Sequence, residues 1–264
     1  MPPPTNLRVV AEDGTPIAAN VTGDGAAVLL VHSAASDARQ WTRLAPLLAP
    51  GFTVVAMDRR GRGASGPLRV GHSLDVDYGD IATVAASIVG PVHLVGHSSG
   101  ARYALHAAPR IPNLKSLVLY EPPDREAFSD AVLDRLAGRE AAGDREGVLR
   151  AFFVDMVGVT EDEFSSLRER PVWPLMVDNA LTVPAELRAA RGYCFDPADF
   201  APLAVPTLLL VGELSGPELR RVADEIAGAL PDARVVTLAG QGHGAMFSGP
   251  ELLASVLQRF FGGI

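Results

Sequence analysis

The stretch Val92-His93-Leu94-Val95-Gly96-His97-Ser98-Ser99-Gly100 places a serine between a short apolar run and a segment with a helical pattern. A Gly-x-Ser-x-Gly motif in this setting is typical of a nucleophile elbow, a strained strand-to-helix turn that exposes the serine hydroxyl. Side chains at the two glycine positions would collide with the neighbouring strand and helix, and the helix amino end favours the negative charge of acyl transfer. The motif therefore predicts Ser98 as a nucleophile, the alternative being an ordinary glycine-rich turn. His97 is expected to be structural or to line a pocket.

Short apolar runs alternate with helical patterns along most of the chain. The runs are continuously apolar, as in parallel strands covered on both faces; they are Ala26–Val31, Phe52–Met57, Val92–Val95, Leu117–Tyr120, Thr207–Val211 and Val235–Leu238. Helical patterns occupy Trp41–Leu48, Tyr78–Ile88, Ala101–Ala108, Pro217–Leu230 and Pro250–Phe261. Before them, Leu7–Ala11 and Ile17–Val21 flank Asp13-Gly14, a hairpin signal. This order predicts an α/β fold with a doubly wound, mostly parallel sheet.

The alternation stops between residues 122 and 200, where helical patterns follow one another. They include Ala127–Leu136, Gly147–Met156 and Glu161–Arg170. We therefore expect residues 1–121 and 201–264 to form one core, with residues 122–200 inserted as a helical cap. The insertion carries large apolar side chains, most of them expected in its own core and some over a pocket: Phe152, Phe153, Met156, Phe164, Trp173, Met176, Tyr193 and Phe195.

A serine hydroxyl is a poor nucleophile until a neighbouring base takes its proton. His243 is placed best for this role, because it lies in a glycine-rich turn between the last strand and the last helix. His93 falls inside a strand and His106 well inside a helix, whereas His72 lies in a glycine-flanked loop and is expected to be solvated. The sequence therefore predicts His243 as the general base.

The chain resembles the α/β-hydrolase superfamily, serine-nucleophile branch, over nearly its whole length, though weakly in the cap. The matching segments are Leu30-Val31-His32, Asp58-Arg59-Arg60-Gly61-Arg62-Gly63-Ala64-Ser65, Val95-Gly96-His97-Ser98-Ser99-Gly100, Leu119-Tyr120-Glu121-Pro122-Pro123, Pro206-Thr207-Leu208-Leu209-Leu210-Val211-Gly212 and Gly242-His243. The resemblance implies an oxyanion hole made by the backbone N–H groups of Ala34 and Ser99. Ser33 stands where relatives usually have glycine, so its own N–H is an alternative donor. Asp58 to Ser65 is expected to be a structural turn.

The resemblance implies a catalytic carboxylate, usually an Asp after the strand that corresponds to Thr207–Val211. Here that position reads Gly212-Glu213-Leu214-Ser215-Gly216-Pro217, without an Asp. Two acids remain: Glu121, at the strand end where some haloalkane dehalogenases carry a catalytic Glu, and Glu213, near the usual position. We favour Glu121, because Pro122-Pro123 would stiffen its exit from the sheet, and keep Glu213 as the alternative.

Composition excludes several classes of protein. The formal net charge of −8 argues against nucleic acid as a partner, since phosphate binding needs a basic face. A single cysteine, Cys194, permits neither an internal disulfide nor a cysteine metal cluster. No signal peptide and no membrane-spanning stretch is evident in the 264 residues, which favours a cytoplasmic protein. No cofactor or metal site is expected.

Together these features predict a serine hydrolase that cleaves a small or medium-sized, apolar, ester-like small-molecule substrate through an acyl-enzyme on Ser98. Cofactor-free lyases, C–C hydrolases and haloperoxidases share the fold and the serine, and stay open as alternatives. A ligand-binding receptor with a degenerate triad is the alternative from another class of protein.

Overall fold

The structure, a computed structural model, describes residues 5–123 and 130–264. In this part of the chain eight strands form one sheet, in the order β1-β2-β4-β3-β5-β6-β7-β8. The strands are β1 (Thr5–Val10), β2 (Pro16–Thr22), β3 (Ala26–Val31), β4 (Phe52–Met57), β5 (Val92–His97), β6 (Leu114–Tyr120), β7 (Thr207–Gly212) and β8 (Ala233–Leu238). The β1–β2 and β2–β4 pairs are antiparallel and all other pairs are parallel, so the predicted α/β fold is confirmed.

Helices cover both faces of the sheet. The α-helices are α1 (Ala45–Leu48), α2 (Leu74–Ala86), α3 (Ser99–Ala107), α4 (Asp130–Ala141), α5 (Arg145–Arg150), α6 (Glu161–Arg168), α7 (Trp173–Asn179), α8 (Val183–Ala190), α9 (Pro217–Ala229), α10 (Ala245–Ser248) and α11 (Pro250–Gly262). Alternate strand residues pack into different clusters: Leu29 lies with side chains of α2, α3 and α9, and Leu30 with side chains of α11. Burial on both faces explains why these strands are continuously apolar.

The helix predicted over Trp41–Leu48 is wrong. A 3₁₀ turn covers Ala38–Trp41, and α1 begins only at Ala45. Pro46 has no N–H to donate to the carbonyl of Thr42, so one continuous helix through this segment would lose a hydrogen bond.

Between β6 and β7 the described chain holds helices α4 to α8, here called the helical insertion (residues 130–200). The predicted helix over Ala127–Leu136 lies partly outside the described residues, and its described part belongs to α4. The pattern over Gly147–Met156 corresponds to α5 and a π-helical turn over Ala151–Met156. Helix α6 begins at a capping box, because the side chains of Thr160 and Glu163 bond each other's backbone N–H. Helices α7 and α8 were not predicted.

The helical insertion has its own hydrophobic cluster. Most of the large apolar side chains singled out in the sequence pack there: Phe152, Phe153, Met156, Phe164, Trp173 and Met176. Tyr193 and Phe195 instead pack against the main core. Ala35, which follows β3, is the member contributed from outside the insertion, and it is fully buried. The cluster therefore joins the insertion to the loop after β3.

Candidate active site

Ser98 occupies the turn between β5 and α3. Its backbone has φ 53° and ψ −126°, a region that a non-glycine residue adopts only when its surroundings enforce it. The Ser98 N–H donates to the carbonyl of Tyr120 at 2.9 Å, which ties the turn to β6. Ser98 is half-buried, unlike its neighbours His97 and Ser99, which are buried.

The two glycines of the motif are required by close backbone contacts. A Cβ at Gly100 would lie 2.3 Å from the carbonyl oxygen of His32, and one at Gly96 would lie 2.4 Å from the carbonyl oxygen of Gly100. Real Cβ atoms do not approach backbone atoms so closely, and backbone cannot move aside like a flexible side chain. The glycines thus let α3 start directly against β3 and β5.

Glu121 and His243 form the central polar contact of the site. His243 Nδ1 donates to Glu121 Oε2 at 2.5 Å, and Glu121 Oε1 accepts the Gly212 N–H at 2.7 Å. Glu121 is fully buried with φ 48°, whereas the His243 side chain is 49% exposed. Because Nδ1 carries the proton, the lone pair of Nε2 is left to act as a base. The pair has the geometry of a histidine oriented by a carboxylate.

Glu213 does not take part in this contact. Its Oε2 accepts the N–H of Gly240 at 2.7 Å, and the residue is exposed at the surface. Of the two candidate acids, the structure therefore brings Glu121 to His243 and places Glu213 against a loop backbone.

His97 links the turn of His243 to the loop after β3. His97 Nε2 donates to the carbonyl of His243 at 2.8 Å, and Gln40 Nε2 donates to His97 Nδ1 at 3.3 Å. Gln40 Oε1 in turn accepts the Ser33 hydroxyl at 2.8 Å and the Ser33 N–H at 3.2 Å. Burial, and then the charge of His243, lowers the pKa of His97 well below its usual range, so it stays neutral. Its two ring nitrogens hold opposite sides of the site together.

The hydrogen bonds of Gln40 distinguish the two candidate oxyanion donors in the loop after β3, which are the N–H groups of Ser33 and Ala34. The Ser33 N–H is taken by Gln40, whereas the Ala34 N–H has no acceptor among the described residues. The Ser33 carbonyl accepts His32 Nδ1 at 2.9 Å, and the Ser33–Ala34 peptide is trans. In a trans peptide the C=O and the next N–H point in opposite directions. The Ala34 N–H therefore points away from His32, and Ser99 stands at the first turn of α3.

Behind this loop lies a buried group of charged side chains. Arg59 and Arg62 follow β4, Asp77 lies on α2, and Glu186 lies on α8 of the insertion. Arg59 Nη2 is 3.2 Å from Glu186 Oε1 and its Nε is 3.6 Å from Asp77 Oδ1, while Arg62 pairs with Glu186 Oε2. Burial alone would raise the pKa of Glu186, but the two arginine charges hold it far below its usual range. The group is therefore ionised and mutually neutralising.

The expectation that His72 is solvated is wrong. Only 5% of its side chain is exposed, and its Nε2 lies 2.8 Å from Asp77 Oδ2. Asp77 is buried, and a buried carboxylate needs polar partners. His72 supplies one such partner, which explains why its side chain is buried although it lies in a glycine-flanked loop.

Several residues of the site were not identified from the sequence as parts of it: Gln40, Arg59, Arg62 and Glu186. Two signals in the sequence point towards the three charged residues among them. Three arginines in the segment 59–62 directly follow a buried strand, and charged groups there need acidic partners. Glu186 interrupts the apolar residues Val183, Leu187 and Ala190 of one short helix.

Among the described residues, no three His, Cys, Asp or Glu side chains lie close enough together to hold a metal ion. Likewise, none of the helices in the described ranges is both long and apolar enough to cross a membrane.

Comparisons with known proteins place this geometry in context. A family model described as the alpha/beta hydrolase family matches residues 28–256. The chain is 30% identical over 260 residues to a pimeloyl-[acyl-carrier protein] methyl ester esterase of Stenotrophomonas maltophilia, a match that covers 91% of this chain and 95% of that protein. It is 40% identical over 111 residues to an N-formylmaleamate deformylase of Pseudomonas putida, covering 38% of this chain and 39% of that protein. An alpha/beta hydrolase of Sphaerobacter thermophilus superposes with a TM-score of 0.88 at 35% identity, covering 97% of this chain and all of that one.

Proposed function

The chain belongs to the alpha/beta hydrolase family, and on that premise we propose that it is a serine hydrolase that cleaves a small or medium-sized ester through an acyl-enzyme on Ser98. The observation that carries this proposal is the Glu121–His243 hydrogen bond beside the strained turn of Ser98. The esterase relative, matched over nearly its full length, supports an ester as the substrate class.

In the proposed reaction the Ser98 hydroxyl attacks the carbonyl carbon while His243 Nε2 takes its proton. The tetrahedral oxyanion accepts hydrogen bonds from the backbone N–H groups of Ala34 and Ser99. His243 then passes the proton to the leaving alcohol, and the acyl group remains on Ser98. A water molecule, deprotonated by His243, releases the acid and restores the hydroxyl. Throughout, the Glu121 carboxylate stabilises the imidazolium and holds its tautomer.

We propose that residues 122–200 act as a cap over this site. Among the partly buried apolar side chains of the insertion, the four large ones singled out in the sequence would contact an apolar acyl group in this proposal: Phe152, Phe153, Met156 and Met176. A series of 4-nitrophenyl esters of increasing acyl length tests this. An apolar pocket predicts that kcat/KM rises with chain length to a maximum, and a profile that falls steadily from acetate contradicts it.

The nucleophile is tested by Ser98→Ala together with a fluorophosphonate probe. The parent should react with the probe and hydrolyse 4-nitrophenyl esters, and Ser98→Ala should lose about a thousandfold or more of the turnover while remaining folded. Ser87→Ala, an exposed serine on the surface, serves as the matched control. Turnover of Ser98→Ala within tenfold of the parent would exclude Ser98 as nucleophile. A parent that is folded but neither labelled nor active would favour a ligand-binding protein.

A second candidate is amide hydrolysis, which the local 40% match to a deformylase favours. An N-formyl or N-acyl amide assayed beside the ester series separates the two. A kcat/KM for the amide that exceeds every ester would replace the ester proposal, while the acyl-enzyme chemistry on Ser98 would stay the same. Labelling without cleavage of either substrate class would point instead to a lyase, C–C hydrolase or haloperoxidase.

A further inference from the structure

We propose that Arg59 and Glu186 are positioning residues for the oxyanion hole, so that the helical insertion holds the groups that stabilise the transition state. This proposal rests on the proposed acyl transfer at Ser98. It assigns a role to the buried charges, which the reaction itself does not use.

The guanidinium of Arg59 lies directly behind both proposed oxyanion donors. Its Nη1 donates to the carbonyl of Ser33 at 3.5 Å and to the hydroxyl of Ser99 at 3.4 Å. The Ser33 carbonyl belongs to the same planar peptide unit as the Ala34 N–H. A contact that fixes the carbonyl on one side therefore fixes the direction of the N–H on the other. The positive charge also polarises this peptide in the sense that strengthens the N–H as a donor.

Glu186 holds the guanidinium from the side of the insertion. Its carboxylate is fully buried, lies 3.2 Å from Arg59 Nη2, and accepts the hydroxyl of Tyr103 at 2.8 Å. The Arg59–Glu186 pair reaches Ser99 through Arg59, whose Nη1 donates to the Ser99 hydroxyl oxygen at 3.4 Å. A buried arginine without its carboxylate would be an uncompensated charge, so removal of Glu186 should let the Arg59 side chain move.

The loop after β3 is tied to the insertion at two more points. Ala35, with φ 47°, is fully buried in the insertion's hydrophobic cluster. Asn179 at the end of α7 donates to Asp37 Oδ2 at 2.9 Å. The segment that carries the Ala34 N–H is thus linked to the insertion directly, through Ala35 and Asp37, and indirectly, through Arg59 and its partner Glu186. A shift of the insertion would move the oxyanion donors with it.

The test compares Arg59→Met with Arg60→Met. Arg60 is the adjacent residue, is equally buried and also pairs with carboxylates, those of Asp80 and Asp13. Among the described residues its side chain forms no hydrogen bond with Ser33 or Ser99. Both variants should lose thermal stability. Only Arg59→Met should lower kcat per fluorophosphonate-titrated site by about 10- to 100-fold, with KM for a 4-nitrophenyl ester within about threefold of the parent, since the lost contacts act on the oxyanion. Its inhibition by an alkyl trifluoromethyl ketone, which forms an oxyanion on Ser98, should weaken by the same factor.

Two further variants keep the test decisive if Arg59→Met does not fold. Glu186→Gln preserves the shape of the side chain but removes its charge, and Arg59→Lys preserves the positive charge but not the planar fork. We expect kcat and ketone affinity to fall in Glu186→Gln. In Arg59→Lys both should also fall relative to the parent, but by less than about 10-fold, because the charge is kept and the planar fork is lost.

The proposal is overturned if kcat per titrated site and ketone affinity in the folded Arg59 and Glu186 variants stay within twofold of the parent while stability falls as in Arg60→Met. That result would leave the proposed function intact, because the parent would still be labelled at Ser98 and would still turn over. A parent that is neither labelled nor active is a different outcome, and it removes the proposed function and this inference together.

Discussion

Replacement of Glu121 by glutamine isolates the charge of the carboxylate from its shape. In the parent, one oxygen of Glu121 accepts the Gly212 N–H at 2.7 Å and the other accepts His243 Nδ1 at 2.5 Å. The glutamine carbonyl can keep the Gly212 bond, but its NH₂ group then faces His243. Two donors cannot bond each other, so the imidazole must place its proton on Nε2 and offer Nδ1 as the acceptor. The base that should take the serine proton is then already protonated at the wrong nitrogen.

The size of the effect follows from the charge that is lost. Two unit charges about 4 Å apart attract by about 4 kcal/mol at an effective dielectric constant of about 20, which corresponds to roughly a thousandfold in rate. The cost of restoring the correct tautomer against the glutamine amide adds about 1 kcal/mol. We therefore expect Glu121→Gln to lower kcat by about 10³- to 10⁴-fold and to change KM by less than about threefold.

The assay is steady-state hydrolysis of a 4-nitrophenyl ester, with the folded fraction checked by circular dichroism and thermal melting. Glu213→Gln is the matched control, because its carboxylate accepts the Gly240 N–H at the surface and a glutamine oxygen can do the same. Its kcat should stay within about twofold of the parent. The reasoning is refuted if folded Glu121→Gln retains a tenth of the parent's kcat, or if Glu213→Gln is the variant that loses activity.

Two predictions concern stability. Gly100→Ala should prevent folding or lower the free energy of unfolding by roughly 3 kcal/mol or more, because its Cβ would lie 2.3 Å from the His32 carbonyl oxygen. Gly138→Ala in α4 is the control: its Cβ would meet nothing within 4 Å, so the melting temperature should stay unchanged or rise. Equal melting temperatures for the two variants would contradict the steric argument. Burial, and secondarily two arginine charges, lowers the pKa of His106 to about 4, so the histidine stays neutral in the folded chain while the unfolded chain binds a proton below about pH 6.5. The free energy of unfolding, measured with urea, should therefore fall between pH 7 and 5 by about 2 kcal/mol more in the parent than in His106→Gln; parallel losses in both proteins would contradict this assignment.

Local patterns were sufficient to predict the fold. Continuous apolarity in short runs predicted the parallel strands, because burial on both faces favours apolar side chains at most strand positions. The observed ends differ by only a few residues from the expected ones. The helix predicted over Trp41–Leu48 is wrong because Pro46 lies within that segment and favours the start of a helix over its continuation. Helices α7 and α8 were not predicted, because they are only seven and eight residues long and a short segment gives a weak periodic signal.

The sequence alone determined the elements of the site whose geometry is local. The turn at Ser98 depends on glycines two residues to either side. A Gly-x-Ser-x-Gly pattern after a buried strand contains both glycines, so it predicts the turn without knowledge of the rest of the fold. It also reduced the candidate acids to Glu121 and Glu213, because the usual position carries no Asp.

Only the tertiary structure decided which distant groups meet. Glu121 and His243 are 122 positions apart in the chain, and Arg62 and Glu186 are 124 apart. Nothing in the local pattern around any of these residues names its partner, since side-chain contacts of this kind depend on how whole strands and helices stack. Burial makes each pairing selective: a carboxylate or guanidinium removed from water must find an opposite charge or a hydrogen bond, and the fold offers few within reach. The sequence therefore shows which residue types can form such pairs. Which pairs form depends on the tertiary packing of the chain.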